Sequence, residues 1–152
     1  MIKLDDGDLL RQDTDAVVNA VNTVGVMGKG LALAFKQRWP DNFKAYAAAC
    51  KCEEIALGRM FVFDAGDGAR PRYIVNFPTK GHWRSASRIE DIDAGLADLV
   101  VRVKRLGIRS IAVPALGCGL GGLDWADVRP RIEKAFLALP DVEVRLFPPR
   151  EA

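Results

Sequence analysis

The sequence predicts an α/β protein, a three-layer α/β/α sandwich around a mixed, mostly parallel sheet of about six strands. Three observations carry this. The apolar runs at 15–20 and 110–114 lack polar alternation, as strands covered on both faces do. Between them Ile89, Ile92, Leu96, Leu99, Val103 and Leu106 recur at helical spacing. Polar loops rich in glycine follow the strand-like runs, and in open parallel sheets ligands gather at the carboxyl ends of strands.

Taken in order, residues 2–4 form a short strand that enters Asp5-Asp6-Gly7-Asp8. After the strand at 15–20, the loop 22–30 holds Gly25, Gly28 and Gly30, and a helix over 31–39 sets Leu31, Ala34 and Phe35 on one face. Pro40 stops it, and Asp41 caps an alanine-rich helix that runs to Cys50. Gly58 opens a strand over 59–63, and Ala65-Gly66-Asp67-Gly68 is a turn. The next strand, 73–77, ends at Pro78, leaving 79–87 as a polar loop. A long helix follows, with Ser87 and Glu90 at the capping-box offset and Gly107 at its stop. Beyond the strand at 110–114 comes the run Gly117-Cys118-Gly119-Leu120-Gly121-Gly122-Leu123-Asp124. Trp125, Val128, Ile132, Phe136 and Leu139 mark a last helix whose regular part begins at Pro130. Val142, Val144 and Leu146 alternate in a last strand. Residues 1–147 then make one domain, and 148–152, opening on Pro148-Pro149, read as a tail or the start of a linker to a further domain.

A chain of 152 residues, 49% of them hydrophobic, has the length and core of one domain, and a monomer is expected. Its 22 basic and 20 acidic residues leave a net charge of +2, so nucleic acid cannot be held by global charge and any contact is local. Three cysteines without framework spacing and a single histidine support neither a disulfide scaffold nor a metal site. No apolar run is long enough to span a bilayer. A cytoplasmic protein without membrane, metal or cofactor is the expectation.

Four glycines in the six residues 117–122 leave the backbone free to present successive N–H groups to an anion, and a phosphate or diphosphate is the expected guest. A plain flexible loop is the alternative. Two familiar glycine motifs fail. Gly28-Lys29-Gly30 lacks the Ser or Thr that must follow a P-loop lysine, and Thr23 stands where that motif has its first glycine. Gly117, Gly119 and Gly122 fit dinucleotide spacing, but one strand remains after them and no acidic residue ends it.

Gly7-Asp8-Leu9, the run from Asp15 to Asn22, Met27-Gly28-Lys29-Gly30-Leu31-Ala32 and Pro114-Ala115-Leu116-Gly117-Cys118-Gly119-Leu120 together resemble the macrodomain family of ADP-ribose-binding modules, from Ile2 to about Phe147. Met27-Gly28-Lys29-Gly30, Thr79-Lys80 and Leu116 to Leu120 are similar to the subgroup of terminal ADP-ribose glycohydrolases. They are more similar still to antitoxins that remove ADP-ribose from thymidine in single-stranded DNA. The resemblance implies that Asp8, beside Leu9, accepts the adenine amino group. It also implies that the backbone of Leu116, Gly117, Cys118, Gly119, Leu120 and Gly121 cradles the diphosphate. Gly28, Lys29 and Gly30 would close over the distal ribose, and Asn22 would orient it. Phe147, off the face of Val142, Val144 and Leu146, would stack on adenine or else pack against the last helix.

By the same resemblance Lys80 is the catalytic group. As a neutral amine it would attack the anomeric carbon; as an ammonium it would serve as an acid or stabilise charge. Burial or neighbouring cations such as Arg84 and His82 would lower its pKa, and His82 is a second candidate proton carrier. Gly121 stands where relatives of the subgroup carry an aspartate that resolves the intermediate, and Asp124 reads better as a helix cap. Trp83 between His82 and Arg84, with Arg88 beyond, offers a ring flanked by cations, a composition suited to single-stranded DNA; a solvated charged loop is the alternative. The implied function is a metal-independent glycohydrolase acting on ADP-ribosylated DNA, antitoxin to a DNA ADP-ribosyltransferase toxin. The alternatives are a non-catalytic ADP-ribose reader, or a hydrolase of ADP-ribosyl protein esters or ADP-ribose phosphate.

Overall fold

The computed structural model describes residues 1–149; the remainder of the expected tail, 150–152, lies outside the described residues. Strands β1 (Ile2–Leu4), β2 (Ala16–Asn22), β3 (Phe61–Asp64), β4 (Tyr73–Lys80), β5 (Ser110–Val113) and β6 (Glu143–Leu146) form one sheet in the order β1-β6-β5-β2-β4-β3. Every neighbouring pair is parallel except β3 with β4. Helices α1 (Gly30–Arg38) and α2 (Pro40–Lys51) cover one face, and α3 (Ile89–Leu106) and α4 (Trp125–Phe136) the other. The three-layer mixed sandwich is as expected.

Strand β2 shows why both faces are covered. Ala16 and Val18 enter the core beneath α3 and α4, while Val17 packs with Phe35 of α1 and Val21 with Tyr46 of α2. A strand apolar on both faces has no solvent side, and each such valine buried contributes roughly 1.5–3 kcal/mol. Helix α3 lies so near β4 that a Cβ on Gly95 would stand 2.3 Å from Phe77 Cζ. Only glycine seats the ring there, which offsets the roughly 1 kcal/mol that glycine costs a helix. Among the described residues no helix is long and apolar enough to cross a membrane.

Several local expectations need correction, each for a physical reason. Pro40 not only stops α1 but opens α2 at its first position, where a missing N–H costs nothing; Asp41 sits in the first turn and no side chain caps the helix. Pro78 does not end β4, which runs on to Lys80. Beyond Asn76 the strand has lost β3 as a partner, and its register with β2 slips between Val21 and Asn22, so a residue without an N–H is tolerated. Thr79 and Lys80 therefore belong to a strand end, not a loop. Pro130 lies inside α4, which already begins at Trp125 with Asp124 accepting from Ala126 N at 3.0 Å. The capping box at α3 does not form: Arg88 is the N-cap without a side-chain bond, and Glu90 pairs with Arg88 at 3.6 Å.

Candidate ligand and active site

A cavity of about 970 Å³ opens at the carboxyl ends of β2, β4, β5 and β6. The loops that follow those strands wall it. Gly117, Gly119 and Gly121 line it at alternate positions, whereas Leu116 is fully buried and Cys118 packs on the main core. The loop is thus pinned by Leu116 and Cys118 and presents backbone to the cavity. Burial, followed by the nearby Asp124, pushes the Cys118 thiol up to about 11, so it stays protonated at neutral pH. Gly117 adopts φ +73°, and a Cβ there would meet Leu123 Cδ1 at 2.8 Å, so the tight turn requires glycine.

Opposite it stands the loop 23–29. Gly28, Lys29 and Gly30 line the cavity together with Leu31, Ala32 and Ala34 of α1. The helix N-terminus aimed at the cavity is therefore that of α1, not that of α4 as the order strand, glycine run, helix implied. Lys29 is its N-cap and makes no side-chain cap, leaving the first-turn N–H groups uncapped for an anion. Leu120 Cδ1 is 4.0 Å from where a Cβ of Gly30 would lie, so the two glycine loops face each other across the opening.

Asn22 holds the first loop in shape. Its Oδ1 accepts from Val24 N at 3.1 Å, Val26 N at 3.3 Å and Tyr46 Oη at 2.8 Å, and its Nδ2 donates to Val26 O at 2.8 Å. One Nδ2 hydrogen is left for a ligand, so the side chain works first as the hub of the loop. At the far end Asp8 lines the cavity while its Oδ1 caps the turn Leu9–Arg11, accepting from Leu10 N at 3.0 Å. Leu9 and Phe147 line the same end and pack with Val17, Phe35, Ile74 and Ala112. Phe147 thus faces away from α4, the face opposite to Leu146. Pro148 and Pro149 continue the wall beside it, so the described part of the expected tail belongs to the cavity.

Lys80, brought to the rim by the extended β4, lines the cavity, and its Nζ donates to Trp83 O at 3.0 Å. Burial lowers its pKa from the ordinary lysine value. The expected cations are not the cause: Arg84 lies over the Trp83 ring at 4.4 Å, and His82 Nδ1 accepts from Arg84 N at 3.0 Å. His82 does not line the cavity; its ring stands 5.1 Å from that of Trp83. Trp83 does line it and is 39% exposed, while Arg84 and Arg88 lie outside the lining. Sequence reasoning missed Tyr46, Thr23 and Ser87, which touch the site only through other residues. It also missed Val26, a cavity wall that is 40% exposed, for which no motif existed to find it.

A mixed six-stranded sheet with two facing glycine loops around a cavity at its carboxyl edge defines an open α/β/α module. The chain belongs to the Macro domain family, whose family model matches residues 18–132. A Mycobacterium tuberculosis protein named DNA ADP-ribosyl glycohydrolase is 56% identical over 149 residues, 98% of this chain and 42% of that protein. The structure of the macrodomain of Mycobacterium tuberculosis DarG superposes with a TM-score of 0.97 at 55% identity, covering 99% of each chain. A Thermosipho africanus fusion of a DNA ADP-ribosyl transferase with a DNA ADP-ribosyl glycohydrolase is 37% identical over 165 residues, 99% of this chain and 42% of that protein. The Thermosipho africanus DarTG structure, in complex with ADP-ribose, matches with a TM-score of 0.91 and 37% identity, covering 99% of this chain and 42% of that one. The chain spans about two-fifths of the length of the curated relatives it matches.

Proposed function

We propose that the chain is the catalytic macrodomain of a DNA ADP-ribosyl glycohydrolase, which removes ADP-ribose from thymidine in single-stranded DNA and so counteracts a DNA ADP-ribosyltransferase toxin in the cytoplasm. The observation that carries this is that the strand-end Lys80 and the backbone of Gly117, Gly119 and Gly121 line one cavity, which supports a cradle and a reactive amine in the same site. A reader of ADP-ribose needs the cradle alone. The activities for which relatives 37–56% identical across this chain are named support the same reading.

In this reading adenine lies between Asp8 and Phe147, the diphosphate meets the N–H groups of the loop 117–121 and of the α1 N-terminus, and the distal ribose lies under Gly28 to Gly30. The anomeric carbon then faces Lys80. The neutral amine attacks it, the bond to the base breaks, and the electron pair leaves with the base. The proton shed by the new ammonium is the one the departing base takes up, and water then releases ADP-ribose from the lysine. Trp83, stiffened by the Arg84 guanidinium on its ring, and Arg88 contact the bases and phosphates beside the modified nucleotide.

The test is incubation of a thymidine-ADP-ribosylated oligonucleotide with the wild type and Lys80→Ala. Release by the wild type alone, with both proteins binding ADP-ribose, is expected. A wild type that binds ADP-ribose and releases none would sink the glycohydrolase assignment and leave a reader.

A further inference from the structure

The segment 80–88 is fastened at both ends to the loops that flank the cavity. At its start Gly81 O accepts from Thr23 N at 3.0 Å and Thr23 Oγ1 at 2.8 Å, which joins it to the loop after β2. At its end Ser87 N donates to Gly121 O at 2.9 Å, which joins it to the glycine-rich loop. Lys80 opens the segment and Ser87 all but closes it, so the glycine loop is bonded to the segment that follows the lysine.

Ser87 carries more than this backbone bond. It is 6% exposed, and its Oγ is buried without a hydrogen-bond partner. Buried hydroxyls are almost always paired, so one without a partner needs a reason. Its surroundings suggest one. A Cβ on Gly121 would lie 2.3 Å from Ser87 Oγ, and a Cβ on Gly117 would lie 3.2 Å from Ser87 Cβ. The unpaired hydroxyl thus lies against Gly121, and the Ser87 Cβ against Gly117, two glycines that line the cavity. Peptide groups at 117–121 are the ones a bound diphosphate would meet, and Gly121 among them already bonds Ser87 N.

We propose that Ser87 is a positioning residue whose hydroxyl bonds the glycine-rich loop when that loop closes on a diphosphate, and which thereby fixes the segment that carries Lys80. The coupling to catalysis rests on the glycohydrolase reading; the coupling to the diphosphate rests only on ADP-ribose binding. Occupancy of the cradle would then hold the segment 81–87 more firmly, and with it the Trp83 carbonyl to which the Lys80 amine is bonded.

The decisive variant is Ser87→Ala. Because the hydroxyl has no partner in the free protein, its thermal midpoint should stay near that of the wild type. ADP-ribose affinity by calorimetry should fall about fivefold, the worth of one hydrogen bond made only in the bound state. Turnover of the ADP-ribosylated oligonucleotide should fall about tenfold in kcat, with the midpoint of its pH profile moving up as Lys80 loses burial. Wild-type affinity and wild-type kcat in Ser87→Ala would overturn the proposal. Should Ser87→Ala lower the thermal midpoint steeply, the pair Gly121→Ala and Gly121→Ala with Ser87→Gly decides. The added methyl would press on Ser87 Oγ at 2.3 Å and on Gly117 O at 2.5 Å; Ser87→Gly removes only the first clash, so part of the lost affinity should return in the double variant, and strict additivity would overturn the coupling. The affinity measurements use ADP-ribose alone, so they stand even if the wild type releases nothing from the oligonucleotide. Conversely, a wild type active on DNA with an unaffected Ser87→Ala removes Ser87 and leaves the glycohydrolase reading intact.

Discussion

Lys80 Nζ and the carbonyl oxygen of Trp83, three residues on, are joined by a 3.0 Å hydrogen bond. A neutral amine can donate this bond and keep its lone pair for another atom, so the contact aims the nucleophile without consuming it. Burial favours that neutral form by lowering the pKa below its ordinary 10.5. We expect kcat to rise with pH to a plateau, with a midpoint below the free lysine value, because the reactive fraction is the deprotonated one. A rate that falls with pH through the same midpoint would make Lys80 an acid instead. Lys80→Ala should lower kcat about 10²–10⁴-fold, the usual range for a group that moves a proton or bond in the transition state, with ADP-ribose binding retained.

Gly119 separates binding from folding. It lines the cavity, has no left-handed φ, and a Cβ built there meets no heavy atom within 4 Å. Gly119→Glu should therefore fold with an unchanged thermal midpoint. Its carboxylate would stand beside the diphosphate, and calorimetry should show ADP-ribose affinity lowered about 100-fold or more by like-charge repulsion and lost backbone approach. Retained affinity would remove the phosphate role from this loop.

Tyr46 acts on the ligand at one remove. Its buried Oη lies 2.7 Å from Asn22 O and 2.8 Å from Asn22 Oδ1 and shares its one proton between them, bracing the residue that shapes the loop 23–29. Burial, then the neighbouring Cys50, pushes the phenol pKa up, so the brace holds over the whole working pH range. Tyr46→Phe should lower stability by about 1–2 kcal/mol in urea unfolding. ADP-ribose affinity should fall several-fold with it, since the wall over the distal ribose is loosened. A destabilised variant with unaltered affinity would show that the loop keeps its shape without Tyr46.

Much of this was legible in the sequence because periodicity and apolar runs report burial directly. The strands at 15–20 and 110–114 and the long helix emerged near their observed bounds. The glycine loop was legible as well, since few structural needs put Gly117, Gly119, Gly121 and Gly122 so close together. What was not legible depended on which neighbours a strand has. Pro78 reads as a strand end unless one knows that β3 stops pairing at Asn76, and that ignorance turned Lys80 from a strand-end residue into a loop residue. Ser87 satisfied the spacing of a capping box, yet its contact with Gly121 lies 34 positions away in sequence (121 minus 87) and only the fold brings them together. His82 was attractive by residue type alone; the bond from Arg84 N to its ring faces the loop, not the cavity.

Asp15 makes the sheet sensitive to acid, as does Asp64 of β3, whose carboxylate Arg72 also holds low. The Asp15 carboxylate sits just before β2, accepts from Arg109 N at 2.8 Å and Ser110 N at 3.3 Å, and pairs with Arg70 Nη1 at 2.5 Å. Desolvation alone would raise its pKa, but the Arg109 N–H, the Arg70 guanidinium and the Ser110 N–H together outweigh it and hold the group below its usual 3.8. A carboxylate with a depressed folded pKa contributes stability that is fully present above the unfolded value. That contribution is lost as pH falls through the folded one. Asp15→Asn should therefore be less stable than the wild type at pH 7, by about 1–3 kcal/mol for a charged acceptor removed from two backbone donors. The gap should narrow as pH falls from the usual 3.8 through the lowered folded value, where the wild type takes up the proton that the variant lacks. Urea unfolding of both proteins at pH 7 and at low pH measures it. A gap that stays constant would mean that Asp15 joins β2 to β5 by its shape and hydrogen bonds, with its charge contributing nothing.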